Sequence, residues 1–162
     1  VGNLHQPAHE RALAAVGTEL VPGAHETVLR EVVGQEMAIF GADNVSIDGP
    51  AFTLSPKSSI SLAMLIHELA TNAAKYGSLS QENGLVNICW TLTSDGRLRL
   101  AWRETGGPPA KEPDRKGFGM RLIESIVVGE FGGAFKPIYQ DEGLSCTIIL
   151  EAGALRGKRA RE

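Results

Sequence analysis

Residues 58–77 constrain the fold most strongly, because they have the pattern of a helix with two different faces. Glu68, Asn72 and Lys75 stand at i, i+4 and i+7, so they form one row on the helix surface, the polar row. Apolar residues recur at helical spacing on the opposing side: Leu62, Leu65, Ile66, Leu69 and Ala73. This pattern predicts a helix that packs on a second layer and presents the polar row to a ligand or to solvent.

Periodicity and turn residues predict the other elements. We expect Ser58 or Ser59 to cap the helix of the polar row, which ends near residues 76–77. The stretch 105–116 is polar and rich in Gly, Pro and Lys, which predicts a mobile loop. The remaining predictions are helices over 7–20, 25–40 and 120–131, and paired strands over 44–48 and 51–54, over 85–93 and 97–103, and over 135–140 and 144–151.

The order of these elements predicts the fold class. From the strands at 44–54 onward, helices alternate with pairs of amphipathic strands, including one whose inner face is Val86, Ile88, Trp90 and Leu92. This favours an α+β fold, an α/β sandwich in which helices cover one face of a mixed, mostly antiparallel sheet. The expected organisation is a helical N-terminal segment over 1–40, one domain over 41–152 and a basic, solvated tail over 153–162.

Composition excludes several classes of partner. The net charge is −3, which argues against nucleic acid or an anionic membrane. No apolar run approaches the roughly 20 residues of a membrane span. Cys89 and Cys146 are isolated and lack metal-ligand spacing, so a cytoplasmic location is expected.

The polar row carries the groups that could hold a metal-bound phosphate chain. The Asn72 side-chain oxygen can bind Mg²⁺ without adding negative charge. Lys75 can approach a phosphate, and Glu68 can order or deprotonate a nucleophile. The alternative is a solvated polar face, although Asn and Thr are poor residues for the middle of an exposed helix.

Two further motifs follow in the chain. Trp102 and Glu104 are two residues apart on one strand, so Glu104 stands at the rim of an apolar floor, where a heterocycle with an exocyclic amine could donate to it. The alternative is a core Trp and a strand-end charge. Gly117-Phe118-Gly119 opens a helix, where glycines allow backbone N–H groups to approach phosphate.

The three motifs together resemble a known family. E-x-x-x-N-A-x-K-Y, E-x-G-G-P and G-F-G-M-R-L-I-E occur in the order of the N, G1 and G2 boxes of the GHKL ATPases. More narrowly, His67, Trp102 and Glu104 resemble the signature of the HWE class of bacterial sensor histidine kinases. The resemblance covers about residues 43–151 and implies a Bergerat-type ATP-binding fold.

The resemblance also implies roles for individual residues. Asn72 would bind the Mg²⁺ of Mg-ATP, Glu68 would assist phosphoryl transfer, and Lys75 would contact phosphate. Glu104 would recognise the adenine amine. His67 either orients the Glu68 carboxylate or the lid, or is a packed residue. The resemblance implies further nucleotide-binding positions, namely Tyr76, Trp102, Gly106, Gly107, Gly117, Phe118 and Gly119.

One part of the family pattern is missing from this sequence. Kinases of this class carry a phosphoacceptor His in a segment resembling H-R-x-K-N, and His5, His9 and His25 lack that context. The expected function is therefore the catalytic ATP-binding domain of a two-component histidine kinase, inactive alone. Its partner is a separate phosphoacceptor domain, with a response regulator acting downstream. The alternatives are a non-catalytic nucleotide-binding module and a serine-directed anti-sigma kinase.

Overall fold

The computed structural model describes residues 27–157. Four α-helices are present, and the third continues directly into a π-helix over Ser125–Glu130. Short 3₁₀ turns follow the first two helices, at Ala38–Phe40 and Ser78–Ser80. In chain order the elements are β1 Thr27–Val28, α1 Leu29–Met37, β2 Val45–Asp48, β3 Thr53–Leu54, α2 Pro56–Lys75, β4 Leu85–Leu92, β5 Arg97–Thr105, α3 Phe118–Glu124, β6 Ala134–Gln140, β7 Gly143–Glu151 and α4 Ala152–Arg156.

A five-stranded sheet forms one layer of the fold, in the order β2-β4-β5-β7-β6. Only β2 and β4 pair in parallel, and the other three pairings are antiparallel. The sheet is therefore mixed and mostly antiparallel, as the sequence predicts. The register places Trp102 of β5 between Ile88 of β4 and Cys146 of β7, all on the same face.

The helices cover one face of this sheet. The five apolar residues of the predicted α2 stripe are buried in one core with the inward residues of β4, β5 and β7. On the other face the side chains of Asn87, Arg99 and Arg103 are exposed. This confirms the predicted sandwich with helices on one face. Leu92 departs from its predicted inner position, since it is the last residue of β4 beside the hairpin turn and is 41% exposed.

The start of α2 differs from the prediction. Ser55 is the N-cap, and its hydroxyl oxygen accepts the backbone N–H of Ser58 at 3.2 Å. Pro56 occupies the first helical position, where its missing N–H is not needed and its fixed φ suits the helix. Ser58 and Ser59 therefore lie inside the helix, which ends at Lys75 as expected.

The predicted strands over 44–48 and 51–54 do not pair with each other. β2 joins the large sheet, whereas β3 pairs with β1 in a separate two-stranded sheet. The chain leaves the large sheet at Gly49, where a Cβ would lie 2.3 Å from the Trp90 ring, and the Pro50 carbonyl accepts the Trp90 indole N–H at 2.8 Å. This contact with Trp90 directs the chain away from a hairpin.

The chain segments at both ends also differ from their predictions. The helix expected over 25–40 is shorter, because residues 27–28 form β1 and residues 38–40 form a 3₁₀ turn before Gly41. The helix expected over 7–20 lies outside the described residues. The tail expected over 153–162 is helical up to Arg156, and Leu155 is fully buried while its carbonyl accepts the Ser55 N–H at 2.9 Å.

The helix expected over 120–131 begins two residues earlier, at Phe118, and its second half is the π-helix. Across residues 27–157, none of the helices combines the length and the apolar character needed to cross a bilayer.

Candidate functional site

A cleft of about 520 Å³ opens between α2, the end of β5, the loop 106–117 and the hairpin of β6 and β7. The structure brings five of the predicted site residues to its walls: Asn72, Tyr76, Glu104, Gly117 and Gly119. They come from three separate parts of the sequence. The three motifs therefore meet at one site, with Glu104 at one end of the cleft and Gly119 at the other.

Glu104 is a buried carboxylate that accepts hydrogen bonds from Ser78 and Trp102. It is 2% exposed. Its Oε1 accepts the backbone N–H of Ser78 at 3.0 Å and lies 3.5 Å from the Ser78 hydroxyl, while its Oε2 accepts the Trp102 indole N–H at 3.0 Å. Burial raises the pKa of Glu104, and these hydrogen bonds oppose that rise because they favour the anion.

Trp102 lies beneath the cleft and does not line it. The residue is fully buried between neighbouring strands, and its only polar atom is turned towards Glu104. The sequence placed Trp102 among the residues that contact a nucleotide. The structure instead puts it behind Glu104, where it contacts the carboxylate and the core.

Glycines allow the chain to pass close to Ser78 and Glu104. A Cβ on Gly77 would lie 2.0 Å from Glu104 Oε1, and a Cβ on Gly107 would lie 2.4 Å from the Ser78 Cα. Gly106 adopts φ +75, and a Cβ there would lie 2.7 Å from the Asn83 carbonyl oxygen. Gly106 and Gly107 therefore shape the wall behind Glu104, outside the surface of the cleft itself.

The opposite end of the cleft joins the polar row to the start of α3. A Cβ on Gly119 would lie 2.6 Å from Glu68 Oε2 and 3.8 Å from Asn72 Nδ2, so a larger residue here would require the Glu68 side chain to shift. Glu68 and Asn72 are half-buried, and within residues 27–157 their side chains make no hydrogen bond. A carboxylate, a carboxamide and a helix N-terminus thus lie together.

Three further predicted residues lie away from the walls of the cleft. Lys75 is exposed at the last position of α2, and Phe118 is 81% exposed at the first position of α3. The His67 ring contacts neither Glu68 nor the loop: its Nδ1 lies 3.2 Å from Glu36 Oε2 of α1, and its side chain is 64% exposed. His67 therefore links α2 to α1, and neither of its two expected placements is observed.

The loop 106–117 is irregular, as predicted, but it is anchored at two points. The Ala110 N–H donates to the Gln140 carbonyl at 2.9 Å, which holds the first part of the loop against the β6–β7 hairpin. The Lys116 ammonium contacts Glu124 of α3 at 2.5 Å. The residues between these anchors carry Lys111 and Arg115, whose side chains line the cleft.

Sequence reasoning missed several residues of this site, among them Ser78 and Tyr139. Ser78 follows directly after the predicted helix, and its contact with Glu104 depends on the bend at Gly77. Tyr139 lines the cleft from β6, and burial raises the pKa of its phenol. The alternation of β6 identifies Tyr139 as an inward residue, but pairing with β7 is needed to place it at this end of the sheet.

Within the part of the chain that the structure describes, no three or more His, Cys, Asp or Glu side chains cluster so as to hold a metal by themselves. The oxygen donors of Glu68 and Asn72 are of the kind that Mg²⁺ accepts when phosphate and water complete its coordination.

Comparisons with known proteins point to one group. A curated relative, the blue-light-activated histidine kinase of Brucella ovis, is 31% identical over 162 residues, which cover 91% of this chain and 33% of the relative. The Brucella anthropi protein of the same name is 32% identical over 141 residues, covering 78% of this chain and 29% of the relative. The chain thus spans about a third of the length of these relatives. No family model matches the chain.

Solved structures share the fold. The histidine kinase domain of the Erythrobacter litoralis EL346 blue-light-activated histidine kinase superposes with a TM-score of 0.66 at 18% identity, covering 88% of this chain and 69% of that one. The catalytic domain of the histidine kinase ThkA gives a TM-score of 0.61 at 16% identity, covering 78% and 95%. The chain is therefore homologous to part of the blue-light-activated histidine kinases, and its described residues have the α/β sandwich fold of histidine kinase catalytic domains.

Proposed function

We propose that this chain is the catalytic ATP-binding part of a two-component histidine kinase. It would bind Mg-ATP and transfer the γ-phosphoryl group to a histidine on a separate phosphoacceptor domain. The observation that carries this proposal is the cleft itself, which is lined by the buried Glu104 carboxylate at one end and by Asn72 and Gly119 at the other, with Glu68 beside Gly119.

The base of the nucleotide would lie at the Glu104 end. An adenine ring carries one exocyclic amine, which can donate to a carboxylate oxygen that the protein holds in place. Tyr139 and Leu144 provide an apolar surface beside Glu104 for the ring. Burying the amine against Glu104 also resolves the unfavourable placement of a carboxylate in an apolar pocket.

The phosphates would lie at the Gly119 end. Asn72 is the residue that would hold Mg²⁺ there, and the ion would offset phosphate charge. The free N–H groups in the first turn of α3 would add positive partial charge beside the phosphates. Lys111 and Arg115 of the loop line the cleft and would add positive charge once the loop closes on the ligand.

The transfer itself needs a histidine from outside the described residues. A ring nitrogen of the acceptor would form a bond to the γ-phosphorus as the bond to the bridging oxygen breaks, which releases ADP. Glu68 would accept the proton that the acceptor ring loses. Catalysis would otherwise come from positioning and from charge stabilisation. Because the substrate is ATP, the proposal also places the domain in the cytoplasm.

The proposal is tested by supplying the missing partner. The chain is mixed with γ-labelled ATP, Mg²⁺ and a phosphoacceptor hairpin domain from a kinase of this class. We expect label on the hairpin, in an acid-labile linkage, and none on a hairpin whose acceptor His is replaced by Gln. Binding of ATP without transfer would favour a non-catalytic module, and label on serine would favour a serine kinase.

A further inference from the structure

We propose that Trp102 is a positioning residue for base recognition, which holds the Glu104 carboxylate so that one lone pair of Oε2 faces the cleft for the adenine amine. The base would thus be selected in part by a residue that it never touches. This inference rests on the proposed function, because it concerns the base of the nucleotide bound in the same cleft.

A count of donors around the carboxylate leads to this inference. An ionised carboxylate offers about four lone-pair sites, two on each oxygen. Both sites of Oε1 face Ser78, with the backbone N–H at 3.0 Å and the hydroxyl at 3.5 Å. One site of Oε2 is taken by the Trp102 indole N–H at 3.0 Å. One strong acceptor site therefore remains on Oε2, and Glu104 lines the cleft.

The surroundings of Trp102 suit a fixed donor. The residue is fully buried and is held in register between Ile88 and Cys146, so its ring has little freedom to turn. An indole N–H donates and does not accept, so it can only be satisfied by an oxygen such as Oε2. The two residues leave the same face of β5 because they are two positions apart.

The indole N–H also affects the charge of Glu104. A donor to the anion lowers the pKa of a carboxyl, so removing it raises the pKa of Glu104 further. The Cys146 thiol also faces Glu104, and burial raises its pKa to about 12, so it stays neutral throughout. The other titratable groups at the cleft are Tyr76, Tyr139, Lys111 and Arg115. Within the described residues, Glu104 is the carboxyl that lines the cleft.

The test compares two buried tryptophans. Trp102→Phe removes the donor to Glu104, while Trp90→Phe removes an equally buried indole N–H that donates to the Pro50 carbonyl, away from the cleft. Calorimetry measures the affinities of each chain for Mg-ATP and for the triphosphate of purine riboside, which lacks the amine. We expect Trp102→Phe to weaken ATP about tenfold more than the analogue, as the loss of one charged hydrogen bond suggests. Trp90→Phe should leave the ratio of the two affinities unchanged.

A carboxyl signal provides the second measurement. In chains labelled with ¹³C at the Glu side-chain carboxyl, we expect the Glu104 titration to move to higher pH in Trp102→Phe and not in Trp90→Phe. Equal weakening of both nucleotides together with an unmoved Glu104 titration would overturn the positioning role. Wild-type chain that binds neither nucleotide would instead overturn the proposed function.

A second variant covers the case in which Trp102→Phe does not fold. Ser78→Ala removes the weaker hydroxyl contact and keeps the backbone donor. It should move the Glu104 titration to higher pH, as in Trp102→Phe. It should also lower the ratio of the affinities for ATP and for the analogue by about two- to threefold. No change in either quantity would contradict the model in which these donors hold the carboxylate.

Discussion

The two ends of the cleft are built in opposite ways. At the base end, Glu104 is 2% exposed and receives its hydrogen bonds from Trp102 and Ser78 before any ligand binds. At the phosphate end, Glu68 and Asn72 are half-buried and make no side-chain hydrogen bond within residues 27–157. In the proposed function the fold would thus prepare recognition of the base, whereas the phosphate end would be completed by the ligand and its metal.

This difference follows from what each end would bind. A neutral ring offers few contacts, so the protein gains selectivity by fixing its own acceptor in advance. A metal-bound triphosphate brings strong charges with it and can order exposed side chains on arrival. The two ends should therefore respond differently to single substitutions.

The phosphate end should be the more sensitive to loss of a single side chain. We expect Asn72→Ala to weaken Mg-ATP by at least about a hundredfold, because the proposed metal ligand is lost. Calorimetry with and without Mg²⁺ measures this effect, and circular dichroism checks the fold.

Asn87→Ala is the matched control for Asn72→Ala. Asn87 lies on the open face of the sheet, where its side chain donates to Ser46, and is remote from the helical face. Wild-type affinity in Asn72→Ala, or the same loss in both variants, would remove Asn72 from the metal site.

The base end should show its effect as a change of selectivity. Glu104→Gln keeps the shape but turns an amide towards donors that need an acceptor. We expect it to weaken ATP about tenfold or more, and the amine-free purine analogue less. Competition binding with both nucleotides gives the ratio, and an equal loss for the two would exclude the amine contact.

The junction of α3 with the polar row should respond in rate more than in affinity. Gly119→Ala would place a methyl carbon 2.6 Å from Glu68 Oε2, which is too close, so the carboxylate has to move. We expect transfer to a supplied acceptor to fall several-fold, about 1 kcal/mol in the barrier, with ATP affinity within about twofold of wild type.

Gly129→Ala is the control for Gly119→Ala, because its nearest neighbour would lie at 3.9 Å. A slower transfer in both variants would indicate a general effect of alanine on this part of the chain. An unchanged rate in Gly119→Ala would show that the position of Glu68 is unimportant for transfer.

The smallest expected effect is on stability against pH. The pKa of Glu104 is raised by burial above its ordinary value of 4.5, so the folded state holds its proton more tightly than the unfolded state. The free energy of unfolding therefore falls as pH rises from about 4.5 through the folded-state pKa, and Glu104→Gln should lack this fall. Urea unfolding between pH 4 and 8 measures it.

Glu142→Gln, at an exposed turn, is the control for the pH series and should keep the wild-type slope. The affinity for ATP should rise with pH over the same range in which stability falls, because the adenine amine donates to the ionised carboxylate. Parallel changes of stability and affinity would contradict the assignment to Glu104.

Local patterns predicted the layers of the fold and the approximate shape of the site. The i, i+4, i+7 row and the pair of residues two apart on β5 each fix a face of a helix or strand, so Asn72 and Glu104 could be placed in advance. Trp102 was placed on the correct face, but its contact with Glu104 depends on a side-chain rotamer that periodicity does not determine.

Features that depend on contacts distant in sequence were not predicted. The His67 contact with Glu36 joins residues that are 31 positions apart on two helices, and Ser78 contacts Glu104 across 26 positions. Similarly, β3 pairs with β1 and not with β2, because the intervening Gly49 packs against the Trp90 ring and the Pro50 carbonyl accepts the Trp90 N–H.

The small sheet of β1 and β3 suggests how force could reach the cleft. β1 is paired with β3, and β3 is followed at once by Ser55 and the long helix α2 that carries Asn72. The Leu29 N–H also donates to the Phe52 carbonyl at 2.8 Å. A displacement of the chain at Thr27 would therefore be passed to the start of α2, and along the helix to Asn72, the proposed metal ligand, about five helical turns away.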